Sequence, residues 1–139
     1  MPDPVLCSLL RINRIRMRVL RQELAPYGYS GVMHLIVRYV SRYPGASQDD
    51  IAAFYALDKT GVARDARRLE ELGHIRRTVH PENRRKYQLH LTEEGSRMTE
   101  VICRAYDAFA QALTVGVSPG EWEQLRRLLQ QLEQNALSL

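Results

Sequence analysis

Apolar residues recur at helical spacing along almost the whole chain, and the pattern changes once. From Ile75 the period drops from 3.6 residues to 2. Tyr87, Leu89 and Leu91 alternate with Lys86, Gln88 and His90, and the run Ile75–Val79 faces them across His80-Pro81-Glu82-Asn83-Arg84-Arg85. Alternation at period 2 puts the apolar side chains on one face of a strand. The stretch therefore predicts a two-stranded hairpin with a long basic tip, set in a chain that is otherwise helical.

Capping residues divide the helices. Asp3-Pro4 reads as an N-cap followed by proline at the first helical position, opening a helix to about Leu24. Its stripe falls at positions 6, 10, 13, 17, 20 and 24, with Arg11, Arg14, Arg16, Arg18 and Arg21 filling much of the rest. Ala25-Pro26-Tyr27-Gly28 breaks it. A second helix is expected over Ser30–Arg42, with Val32, Leu35, Ile36, Tyr39 and Val40 on one face, ending at Tyr43-Pro44-Gly45. Ser47-Gln48-Asp49-Asp50 is a capping-box pattern before a short helix around Ile51 and Ala52. Asp58 caps the next, from Lys59 to about Leu72, which stops at Gly73. Beyond the hairpin, Thr92 caps a long helix to about Val115 with Met98, Ile102, Ala105, Phe109 and Leu113 as its stripe. Ser118-Pro119-Gly120-Glu121 opens the last helix, striped by Trp122, Leu125, Leu129, Leu132 and Ala136.

The order is helix, helix, short helix, helix, hairpin, long helix, helix. The middle four elements read as a winged helix-turn-helix, so the fold class is mainly α with a two-stranded β wing. The outer helices carry heptad-like stripes that a monomer has little to cover, and pairing with a second copy is the simplest way to bury them. Residues 1–26 and 93–139 are expected to form a helical dimerisation region, and 27–92 the winged lobe, in one compact chain.

Charge has a location. The 139 residues carry a formal net charge of +4 and a pI near 9.3, the balance expected of a nucleic-acid binder. Residues 1–44 hold seven Arg against Asp3 and Glu23, for +5; residues 45–55 hold only Asp49 and Asp50. Residues 56–92 hold nine basic and five acidic groups, for +4, and 93–139 four basic and seven acidic, for −3. Cys7 and Cys103 are too few for a disulfide scaffold and lack zinc-type spacing, and neither an export signal nor a membrane-spanning run is present. A cytoplasmic protein without membrane contact is expected. Paired acids, a metal cluster and a phosphate loop are missing too, so an enzyme is not expected, nor any cofactor. His34, His74, His80 and His90 do not pair at ligand spacing, and Ser8, Ser30 and Ser47 lack the partners of a nucleophile.

In a helix-turn-helix the second helix enters the major groove with its N-terminal side chains on base edges. Here it begins Asp58-Lys59-Thr60-Gly61-Val62-Ala63-Arg64. Val62, Ala66 and Leu69 face the core, which leaves Lys59, Thr60, Ala63, Arg64 and Arg67 outward. Arginine can read guanine bidentately, and Thr and Lys suit phosphates or base edges. A solvated helix face would look similar. The hairpin tip breaks that tie, because Arg84-Arg85-Lys86 on a turn has no packing purpose, whereas arginines suit a narrow minor groove. Arg76 and Arg77 at the hairpin base would serve phosphates or acidic partners.

These residues resemble a family. Asp50-Ile51-Ala52, Asp58 to Arg64, Arg68-Leu69-Glu70-Glu71-Leu72-Gly73-His74-Ile75-Arg76-Arg77, His80 to Arg85 and Leu91-Thr92-Glu93-Glu94-Gly95 look like the MarR family of bacterial transcription regulators. The likeness is most specific over 47–95. It implies a homodimer with two winged lobes on a pseudo-palindromic double-stranded DNA operator, and a repressor released by a small-molecule effector. It also implies DNA-contact roles for Ser47, Gln48, Lys59, Thr60, Gly61, Ala63, Arg64, Arg67, Arg84, Arg85 and Lys86. The family wing usually reads Asp-Pro-x-Asp-Arg-Arg, and here His80 and Asn83 replace both Asp, which leaves the wing looser or held by Glu82. Gly61 and Ala63 stand where hydroxyl residues are common, and Gly61 costs roughly 1 kcal/mol of helix propensity against Ala.

Two switches are open. Leu6-Cys7-Ser8-Leu9-Leu10 is similar to the reactive-cysteine segment of the family's organic-hydroperoxide-sensing branch, with Cys103 as a resolving partner. The tyrosines that branch places nearby are not matched, and an ordinary buried cysteine is the plainer reading. In the family, small aromatic or lipophilic compounds bind between the dimer region and the winged lobe. Tyr27, Tyr29 and Arg11, with Arg14 and Arg18, are candidates to line such a cleft. From outside the regulators, a helical protein-interaction module with an incidental basic wing is the alternative; it predicts no salt-dependent DNA binding.

Overall fold

A computed structural model describes residues 3–139. In chain order it has α1 (Pro4–Leu24), a single 3-10 turn (Ala25–Tyr27), α2 (Met33–Arg42), α3 (Gln48–Tyr55), α4 (Lys59–Glu71), β1 (Ile75–Val79), β2 (Tyr87–Leu91), α5 (Glu93–Leu113) and α6 (Pro119–Leu137). The contacts gather residues up to Tyr106 into one compact unit and Asp107–Leu139 into a second.

Most boundaries follow from side chains that satisfy the free N–H groups of a helix start. Asp3 Oδ1 accepts from the Val5 and Leu6 amides, and Asp58 Oδ2 from the Gly61 amide at 3.1 Å. Ser47 and Ser118 each close a full capping box, with Asp50 and Glu121 as the returning acids. Thr92 Oγ1 accepts from the Gly95 amide at 3.1 Å while its hydroxyl donates to the Gly73 carbonyl. Gly61 sits inside α4 with room for a methyl group, the nearest atoms to an added Cβ being at ordinary contact distances of 3.8 and 3.9 Å. Gly61→Ala is therefore expected to raise stability by about 0.5 kcal/mol, measured as a higher urea midpoint at unchanged m-value.

The hairpin has the anticipated extent. β1 and β2 pair antiparallel, with Ile75 opposite Leu91 and Val79 opposite Tyr87.

α2 departs from expectation at its start, beginning at Met33 instead of Ser30. Gly31 holds φ +54, which no right-handed helical turn contains, and the Val32 amide, without a helical acceptor at this position, goes to the Asp65 carboxylate at 2.8 Å. α2 is also buried almost all round. Met33, His34 and Val37, which lie off the expected stripe, are all at or below 2% exposure. The core of the first unit joins Met33 and Val37 to Leu24, Ile51, Val62, Ala66, Leu69, Leu89 and Ile102.

α1 divides its stripe. Leu20 and Leu24 are buried, whereas Leu6 and Leu10 remain 60% and 55% exposed. In the second unit α6 keeps its stripe open, with Trp122, Leu125 and Leu132 all at least 40% exposed.

Candidate nucleic-acid interface

α4 presents Lys59, Thr60, Ala63, Arg64 and Arg67 outward, all exposed, with Gly61 half-buried. The opposite face explains the orientation: Val62, Ala66 and Leu69 are each at 0% exposure. The wing presents Arg84, Arg85 and Lys86, also exposed. Among the described residues none of these three has a carboxylate within 4 Å, unlike Lys59, Arg64 and Arg67.

The two groups belong to one surface. Ser47, Gln48, Asp49, Arg85, Lys86 and Tyr87 line a shallow cleft of about 100 Å3 between the start of α3 and the wing. Asp49 also lies 3.8 Å from Lys59 Nζ, at the start of α4. The path wing, α3 start, α4 start is thus continuous, cationic at the wing and on α4, with Asp49 between them. Within it Ser47 is 8% exposed and its hydroxyl is engaged as the α3 cap, so it builds the surface more than it offers a free donor.

The wing turn is held without acids. His80 Nδ1 accepts the Glu82 amide at 3.1 Å and Asn83 Oδ1 accepts the Arg85 amide at 3.0 Å. The His80 amide donates to the Lys86 carbonyl at 2.9 Å, and the Lys86 amide to the Asn83 carbonyl at 3.0 Å. The two replacements themselves fix the turn, which corrects the expectation that Glu82 would do so. Arg77 is likewise used internally. Its guanidinium takes both oxygens of Glu70 at 2.7 and 3.1 Å, and this bond holds the Glu70 carboxyl below its ordinary range.

Asp65 is a further residue of this site, one that the pattern of outward positions does not single out. It is at 0% exposure, accepts the Val32 amide, and lies 3.3 Å from Arg64 Nε and 3.5 Å from Arg68 Nη1. The available signal was an acid beside the apolar positions 62, 66 and 69, with an arginine on either side.

The family model for the MarR family matches residues 27–86, which hold both the α4 face and the wing. Over these residues the chain is similar to the MarR family. The regulator BilQ of Clostridium symbiosum (strain WAL-14163), described as an HTH-type transcriptional regulator, is 29% identical over 113 residues, covering 81% of this chain and 78% of that protein. BilQ of Clostridioides difficile (strain CD3) is 24% identical over 102 residues, 73% of this chain and 69% of the other. Among solved structures, MarR superposes with a TM-score of 0.85 at 29% identity, covering 99% of this chain and all of the other. SlyA, described as a transcriptional regulator, gives 0.89 at 27%, covering 96% and 94%. The chain is accordingly a DNA-binding transcription regulator and not an enzyme. No helix among the described residues is long and apolar enough to cross a membrane.

The three effector-cleft candidates are not brought together. Arg11 and Tyr27 are exposed on α1 and the 3-10 turn. Tyr29 is 4% exposed in the core, its hydroxyl hydrogen-bonded to His74 Nδ1 at 2.8 Å, and burial pushes its phenol up. The cavities lie elsewhere in the first unit. One, about 440 Å3, is walled by Arg38, Tyr39, Arg42, Phe54, Tyr55 and Cys103. The other, about 340 Å3, includes Asn13, Arg16, Arg38, Tyr55 and Tyr106.

Arg16 and Arg38 stand 4.8 and 4.9 Å from the centroid of the Tyr106 ring. The Tyr106 hydroxyl pairs with His34 Nδ1 at 2.7 Å. Burial, then the charges of Arg16 and Arg21, lower His34 to about 4, so it is neutral at physiological pH. These cavities were illegible in sequence because their walls come from α1, α2, α3 and α5, elements far apart along the chain. Cys7 is exposed, which corrects the reading of it as an ordinary buried cysteine within one chain. Cys103 is half-buried, and Arg38 Nη1 donates to its Sγ at 3.1 Å.

Proposed function

We propose that this chain is a homodimeric MarR-family repressor of a pseudo-palindromic operator, released by a small aromatic or lipophilic effector. The observation that carries the DNA-contact assignment is the continuous surface from the wing over the start of α3 to the outward face of α4, with arginine and lysine at both ends and Asp49 between them. Each α4 would enter a major groove, the two about 34–36 Å apart, with Arg84 and Arg85 in the flanking minor grooves. The exposed apolar stripe of α6 and the exposed start of α1 supply the surfaces for pairing. Charge placed there, as in Leu129→Glu, is expected to turn the dimer into monomers by light scattering. A dimer of unchanged mass would contradict this assignment of α6.

For the effector, the two cavities that share Arg38 and Tyr55 replace the Arg11, Tyr27 and Tyr29 cluster as the candidate site. An occupant would sit against α5 on one side and α2 and α3 on the other. A coupling of roughly 1–3 kcal/mol suffices to loosen operator binding 5- to 150-fold.

The test is fluorescence anisotropy on the duplex upstream of the chain's own gene against a scrambled duplex, with Arg64→Ala beside wild type. Specific binding is expected, and Arg64→Ala should relax the preference at one base pair by roughly 1–3 kcal/mol. Undiminished preference would remove Arg64 from the readout, and absence of any preference would favour the protein-interaction module. A thiol switch is the second reading, favoured by the exposure of Cys7. It predicts that a mild dose of organic hydroperoxide abolishes specific binding, and that Cys7→Ser prevents the loss.

A further inference from the structure

α4 carries the arginine assigned to base reading, and that arginine is not free. Arg64 is 59% exposed at its side chain, yet its Nε lies 3.3 Å from Oδ1 of Asp65, whose own side chain is fully buried. A buried carboxylate is tolerated only where neighbours satisfy it, and this one is engaged on several sides. Oδ2 accepts the Val32 amide at 2.8 Å. Oδ1 faces both Arg64 Nε and, at 3.5 Å, Arg68 Nη1. Arg68 Nη1 in turn donates to the Ser30 hydroxyl at 3.1 Å.

The loop that grips Asp65 is itself fixed. Gly31 packs so closely that an added Cβ would stand 2.3 Å from Oδ2, and the Gly31 carbonyl accepts from Arg21 Nε of α1 at 3.3 Å. The carboxylate is thus held from behind by the segment Ser30–Val32, and its forward oxygen meets the arginine on the DNA-facing side.

We propose that Asp65 is a positioning residue for DNA readout: anchored by the Val32 amide, it holds the Arg64 guanidinium in the orientation in which it meets a base. The inference rests on the reading of Arg64 as a base contact. Guanidinium readout is bidentate and planar, so restricting the Nε–H direction before binding restricts which edge the fork can present. It also spares ordering entropy on association.

The decisive substitution is Asp65→Asn. The amide keeps shape and one acceptor, but it cannot accept from Val32 on one side and from the arginines on the other. With its oxygen kept on Val32, the tighter bond, its NH2 would face Arg64 and release it. Two readouts separate the possibilities. In the free full-length protein, NMR of arginine Nε–H groups should show Arg64 exchanging with solvent more slowly than Arg84 and Arg85. Asp65→Asn should abolish that difference. In anisotropy, Asp65→Asn should lower the operator-to-scrambled preference roughly tenfold, with scrambled-duplex affinity and salt slope unchanged. It should cost nothing further in an Arg64→Ala background.

Equal exchange of Arg64 and the wing arginines in wild type would overturn the proposal without any variant, so it is testable even if Asp65→Asn does not fold. An equal loss of preference in the Arg64→Ala background would also overturn it, placing Asp65's effect elsewhere. If Arg64→Ala alone leaves preference intact, the base-contact reading fails, and slow Arg64 exchange lost on Asp65→Asn would still identify Asp65 as what holds it.

Discussion

Replacing Gly95 by alanine is expected to lower stability by about 3 kcal/mol, with a fall in Tm on the order of 10 °C at fixed protein concentration. Gly95 lies in the first turn of α5, and a Cβ there would stand 2.0 Å from the His74 carbonyl oxygen and 3.0 Å from its carbon. The obstacle is backbone, so no rotamer relieves it. Nor can His74 retreat freely, since the same carbonyl accepts the Thr92 amide at 3.0 Å. Its ring is held by Tyr29, and its amide donates to the Leu69 carbonyl at 2.9 Å. The junction between α4, β1 and α5 would have to open. Urea unfolding of the two proteins decides the matter, and a midpoint shift worth less than about 0.5 kcal/mol, the scatter of ordinary surface changes, would mean that α5 slides along His74.

The larger functional effect is expected from Arg84→Ala combined with Arg85→Ala. Both side chains are exposed and have no acidic partner within 4 Å among the described residues. Removing them takes nothing from the fold and the unfolding midpoint should stay put. Operator affinity should fall at least about a hundredfold near physiological salt, and the slope of log affinity against log salt should flatten by about 2 per wing, about 4 for the dimer. An unaltered slope would mean that the wing does not touch DNA. A flattened slope with full affinity at low salt would assign the two arginines to phosphates and not to the minor-groove floor.

What could be read from the sequence was local. Asp3, Ser47, Asp58 and Ser118 each cap the helix they were expected to cap, because an N-cap is decided within three residues. The hairpin followed from strict alternation, and the family likeness came from contiguous residues of α4 and the wing. What could not be read depended on distant partners. The Ser30–Val32 segment reads as a helix start, but Gly31 takes φ +54 where it packs on Asp65, 34 positions away, whose carboxylate receives the Val32 amide. Tyr29 looked available for a ligand until His74, 45 positions away, claimed its hydroxyl. Asp65 itself looked like one more acid on a charged helix, and the cavities exist only where α2, α3 and α5 converge.

The wing built on His80 and Asn83 has a kinetic consequence. Where the wing that this one resembles places two carboxylates beside its arginines, this chain closes the same turn with an imidazole and an amide. Each tip therefore keeps the full attraction of Arg84, Arg85 and Lys86 for any duplex, whatever its sequence. Attraction of that kind lengthens sliding along DNA and speeds the search for a target. It also raises the share of molecules parked on the rest of the genome. Discrimination, being a ratio of the two affinities, must then come from α4, so that the wing governs how quickly an operator is found and α4 how long it is kept.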